Sequence, residues 1–139
     1  MIVPFAELQK AIYDRISGPL GADSPAVRVY SSPQRDDVDR PYVVLGQFSA
    51  VPLSFKGVDG ADVTSTIHVW SNESSIKQPS AIMSRVVDLL EMSSLSLIGF
   101  SESFGLGRVV GVDLFQEEVS QGSVEQHGVL RYQWTIEGA

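Results

Sequence analysis

The stretch GVLRYQWTIE, residues 128–137, alternates without a break. Leu130, Tyr132, Trp134 and Ile136 fall on one side, and Val129, Arg131, Gln133 and Thr135 on the other. Successive side chains of an extended strand point to opposite faces, so this period of two demands a half-buried strand. One face belongs to a core; the other is wet or covered by a partner. DVTSTIHVWS, residues 62–71, repeats the pattern, with Val63, Ser65, Ile67 and Val69 opposed to Thr64, Thr66, His68 and Trp70. YVVLGQFSAV, immediately after Pro41, is rich in β-branched and aromatic residues and carries Gly46 as a candidate bulge. Leu106 to Val119 reads as a long strand containing Gly111, and Val27 to Tyr30 as a short one ended by SSPQ. Leu95 to Phe100 fits either a short strand or an irregular return.

Two segments have helical spacing instead. From Pro4 to Ser17, Phe5, Leu8, Ile12 and Ile16 recur at three and four, with Pro4 suited to a first turn and Gly18 to a stop. SGPLGADSPA then reads as turn chemistry. From about Gln78 to Met92, Ile82, Met83, Val86, Leu89 and Leu90 make a broad apolar stripe. Ser75 and Gln78 have capping-box spacing, and Pro79 suits a start near Gln78 equally well. SSPQRDDVDRP mixes both signs of charge between prolines and is expected to be an exposed loop. VPLSFKGVDGAD is expected to be a long hairpin connection with a mobile tip marked by Gly57 and Gly60, and SQGSVEQH a turn. The order helix, strand, hairpin, helix, hairpin has no repeat and no linker. It predicts one domain over residues 1–139 of the α+β class, a mainly antiparallel sheet with two helices packed on one face. The other face is left for an assembly partner.

Composition narrows the function classes. With 139 residues, 43% of them apolar and 19% charged, the chain is too apolar for disorder and lacks a run long enough to span a bilayer. The absence of cysteine removes disulfides, thiolate zinc sites and cysteine nucleophiles. MIVPFAELQKAIYDRI does not read as a signal peptide, so synthesis in the cytoplasm is expected. Seventeen acidic against ten basic side chains give a net charge of −7, which argues against nucleic-acid binding by counterion release.

The search for chemistry finds little. His68 and His127, the only imidazoles, lie on separate strands. A two-histidine metal site would need those strands to pair in register beside a carboxylate, and a lone strand histidine is ordinarily a surface or satisfied residue. There is no G-x-S-x-G elbow. Asp36, Asp37 and Asp39 sit between Arg35 and Arg40, which neutralise most of their charge, and lack the spacing of a calcium loop. Glu117 and Glu118 would point to opposite faces of a strand and so make no acid–base pair. In GLGRVVG, residues 105–111, the third glycine is displaced from a dinucleotide fingerprint and a strand follows where a helix should. Trp134 is expected to pack in the core, and Trp70 on a sheet face. No catalytic, cofactor-binding or metal-ligating residue is assigned, and the chain is expected not to be an enzyme.

The order of elements, with RPYVVLG before the first long strand, TIHVWS in the returning strand and HGVLRYQWTIE in the last, resembles the tail-completion or tail-terminator proteins of long-tailed bacteriophages, including prophage and gene-transfer-agent relatives. That resemblance spans nearly the whole chain. It implies a structural subunit that forms a ring, usually a hexamer, on the head-proximal end of the tail tube. Its partners would be further copies of itself, the tube protein and the head–tail connector, with DNA passing nearby unbound and no membrane or cofactor involved. Contacts are expected at the hairpin tip, through Phe55, Lys56 and Asp59, and at the charged loop, through Arg35, Asp36 and Asp37, with His68 on the sheet face touching a partner or water. Two rivals stay open: a head-completion or neck component of the same particle, and a small-molecule-binding or hydrolytic domain using His68.

Overall fold

The computed structural model describes residues 3–32, 39–55, 58–91, 95, 107–120 and 123–137. Helix α1 spans Phe5–Ala22 and α2 spans Lys77–Glu91, while the strands are β1 Arg28–Tyr30, β2 Tyr42–Phe55, β3 Val58–Ser71, β4 Gly107–Ser120 and β5 Ser123–Glu137. They form one sheet in the order β1-β2-β3-β5-β4, antiparallel except for the β1–β2 pair. This is the expected α+β architecture. The two hairpins lie side by side, and β3 and β5 pair from Gly60↔Glu137 to Ser71↔Gln126 at the centre.

Both helices cover one face. Leu8, Ile12, Ile16 and Leu20 of α1 are fully buried, and Ile82, Met83, Val86, Leu89 and Leu90 of α2 complete the layer. Beneath them lie Val63, Ile67 and Val69 of β3 and Leu130, Tyr132, Trp134 and Ile136 of β5, the residues that the alternation assigned to the core. The Arg15 Nε–H donates to the Leu89 carbonyl at 2.8 Å and ties the helices together.

Several boundaries depart from the sequence reading. Helix α1 does not stop at Gly18 but continues through Pro19 to Ala22. Leu20 extends the four-residue apolar stripe by one more turn, and its full burial outweighs the intrinsic cost of Gly18 and Pro19. The Leu20 carbonyl then accepts from both the Asp23 and Val27 amides. At the start of α2, Ser75 accepts from the Lys77 amide, whereas the Gln78 side-chain oxygen accepts from the Ser71 hydroxyl, so no reciprocal box forms. The segment VPLSFKGVDGAD is mostly strand, paired up to Phe55↔Val58, and SQGSVEQH is strand from Ser123 onward. The bulge expected at Gly46 is one residue later: Gln47 is the extra residue, with φ of 49°. It lets Val43, Leu45, Phe48 and Ala50 all meet the core side. Apart from the buried Leu95, the ambiguous segment Leu95 to Phe100 lies outside the described residues.

Within GLGRVVG, Gly107 has a packing role. A Cβ on Gly107 would come within 2.4 Å of the Trp134 ring, so the strand can lie over the indole only if this residue is glycine. Gly107→Ala is expected to cost about 1–3 kcal/mol, measured by urea denaturation. Trp134 is fully buried, and its indole N–H donates to the Ser65 hydroxyl at 2.7 Å. The neighbouring Tyr132 hydroxyl is buried without a partner among the described residues. Burial first, then Glu91 and Asp88, push its pKa well above the ordinary phenol value. Tyr132→Phe removes the unpaired hydroxyl and is expected to leave stability unchanged or raise it by about 1 kcal/mol, against the 1 kcal/mol loss typical of a core substitution.

Candidate functional site

The sheet face opposite the helices carries the side chains of the other parity. Strand register brings Tyr42 opposite Trp70, Val44 opposite His68, and Trp70 opposite His127, with Phe115 of β4 next to His127. His68 and His127, on strands that sequence alone leaves unrelated, are therefore diagonal neighbours. The His68 Nδ1 and His127 Nε2 atoms are 2.8 Å apart. The ring centroids are 5.0 Å apart, close to that contact plus the two ring radii, so the nitrogens meet nearly head to head. On its other edge, His127 Nδ1 lies 3.5 Å from the Glu117 carboxylate, and the Trp70 ring stacks on His127 at 3.8 Å with the planes 8° apart.

Electrostatics set the tautomers. Glu117 favours a proton on His127 Nδ1, which leaves Nε2 as acceptor for the His68 Nδ1–H. Burial, then His127 and then Arg131, hold the His68 pKa below its ordinary 6.5. Arg131 is itself paired with Asp113 across the β4–β5 ladder. The register and the carboxylate that a two-histidine metal site would require are thus both present, but the two nitrogens meet at hydrogen-bond distance. An ion held on the line between two nitrogens would need them about 4 Å apart. Among the described residues no cluster of three metal-ligating side chains occurs.

A second polar contact lies at the end of this face where β2 and β5 begin. Arg40, with only 12% of its side chain exposed, forms an ion pair with Glu125, exposed to 9%, and its guanidinium lies 5.5 Å from the centre of the Tyr42 ring. The sequence reading gave Arg40 to the loop aspartates; the structure joins it to a strand 85 residues away. Of the other expected site residues, Arg35, Asp36, Asp37 and Lys56 lie outside the described residues, and the side chain of Phe55 does too. Asp59 is exposed beside the hairpin tip. The contributions of Glu117, Glu125 and Phe115 escaped sequence reasoning. Glu117 and Phe115 reach His127 only once β4 is set against β5, and Glu125 was hidden because SQGSVEQH reads as a turn when it is strand from Ser123 onward.

The long aromatic face and the paired hairpins describe a scaffold, and comparison with known proteins says of what kind. A profile of the family described as "Tail completion protein gp17" matches residues 10–137. This is a structural protein of the virion tail. The tail completion protein gp17 of Bacillus phage SPP1 is 30% identical over 129 residues, covering 93% of this chain and 91% of the relative. The solved structure of bacteriophage SPP1 gp17 superposes with a TM-score of 0.59 at 27% identity, covering 94% of this chain and 91% of that one. A chain from the virion of a native gene transfer agent particle has the same fold, with a TM-score of 0.68 at 21% identity, covering 99% of this chain and all of the other. The chain belongs to the tail completion protein gp17 family.

Proposed function

We propose that this protein forms a ring, a hexamer, on the head-proximal end of the tail tube, where it stops tube polymerisation and joins the tail to the head connector. The observation that carries the reading is the family match over almost the entire fold. Two features agree with it. The sheet ends in a long edge strand, β4, with Val110, Val112 and Phe115 each about half exposed, a surface able to meet neighbouring subunits. A net charge of −7 suits a passage that DNA crosses without adhering. Phe55, Lys56 and Asp59, between and at the ends of β2 and β3, and the charged residues Arg35, Asp36 and Asp37 are assigned to contacts with the tube or the adjoining subunit.

Electron microscopy of particles from a producing strain lacking this gene tests the reading. Abnormally long tubes without heads are expected. Normal tails joined to normal heads would overturn it and move the protein elsewhere in the particle.

A further inference from the structure

We propose that the His68–His127 contact is a proton-operated latch on the outer sheet face, closed while a single proton lies between the two rings and opened when both imidazoles are fully protonated. The inference concerns the subunit itself and does not depend on the ring reading. In the neutral pair the His68 Nδ1–H points at the His127 Nε2 lone pair across 2.8 Å. Adding one proton at the far nitrogen of His68 leaves that bond in place and strengthens it, since the donor is then charged. Adding a second sets N–H against N–H and one positive charge against another, and the contact must break.

The latch spans three strands. His68 stands on β3, His127 on β5, and Glu117 on β4 continues the chain from the other nitrogen of His127. Trp70 lies flat on His127, so movement of that ring also releases the indole. Among the described residues, the charged groups around the pair are few. From β5 come Arg131 and Glu125, from β4 Glu117 and Asp113, and from the loop before β2 Arg40. Arg131 pairs with Asp113, and Arg40 with Glu125, so Glu117 is the carboxylate turned to the imidazoles. Strand β2 presents Tyr42, Val44 and Gly46 to this side and adds no acidic or basic side chain.

Linkage fixes the sign. The folded pair resists its second proton, whereas the unfolded chain takes up both near the ordinary value of 6.5. Below that pH the unfolded state binds more protons, so stability falls as pH falls, until the folded pair accepts the second proton and the loss levels off.

The test is a titration of the imidazole nitrogens in the full chain by long-range proton–nitrogen NMR, with tryptophan fluorescence followed in parallel. Two steps separated by at least about one pH unit are expected, with the fluorescence change on the more acidic one. In His127→Gln, His68 should titrate in one step closer to its ordinary value, and the acid-side loss of thermal stability should shrink. Both histidines titrating together in the wild type, or His68 unmoved by the loss of His127, would overturn the proposal. Should His127→Gln fail to fold, the wild-type titration decides alone.

Discussion

Arg40→Met is expected to destabilise the protein by about 3–5 kcal/mol, because it leaves the Glu125 carboxylate buried without its cation. The pair is shut in on both sides, with side-chain exposures of 12% and 9%, so water cannot replace the lost partner. A surface pair such as Lys10–Asp14, more than half exposed at both ends, would lose well under 1 kcal/mol on the same treatment. The double variant Arg40→Met with Glu125→Leu removes both charges from the same volume and is expected to recover most of the loss. Denaturant midpoints of the two single variants and the double one measure this directly. A single-variant cost below about 1 kcal/mol would show that the site is hydrated despite its burial.

Trp134→Ala is the second large effect, about 3–5 kcal/mol from a fully buried indole. It also leaves the Ser65 hydroxyl without the N–H that it accepts. A more specific expectation follows from Gly107. In the wild type, a methyl group there collides with the indole at 2.4 Å; with the indole gone, the same methyl enters the space left behind. Gly107→Ala should therefore cost little or become favourable in the Trp134→Ala background. The coupling between the two, read as the departure from additivity, is expected to reach about 1–3 kcal/mol. Additive losses would mean that the strand has moved aside to accept the methyl.

Which parts of this protein are legible in its sequence depends on the range of the interaction that decides them. The faces of β3 and β5 follow from local alternation, and Val63, Ile67, Leu130, Tyr132 and Trp134 lie where period two puts them. The end of α1 was missed because Gly18 and Pro19 are strong local signals, overridden by the contacts Leu20 makes with distant residues. The hairpin tips were placed too broadly because glycine-rich composition marks a turn without showing how far pairing climbs towards it. The candidate site is the least legible. Each imidazole is plain in the sequence, yet their contact needs β3 beside β5, a pairing across 59 residues. The ion pair of Arg40 needs one across 85. The family resemblance reached the right family because it draws on the order of all the elements at once.

The strand order has a consequence for how the molecule comes into being. Strand β5, made after all the other described elements, occupies the interior of the sheet between β3 and β4. A ribosome that has released residues up to 120 has produced two amphipathic helices and a hairpin whose central edge is bare, with β4 lacking its pairing strand. The apolar row Leu130, Tyr132, Trp134 and Ile136 is the keystone laid last. Co-translational folding can advance little before synthesis reaches residue 137, and the unfinished chain exposes a strand edge on which polysome neighbours can pair. A subunit built this way becomes competent all at once, so partly made copies have no finished sheet to contribute to an assembly.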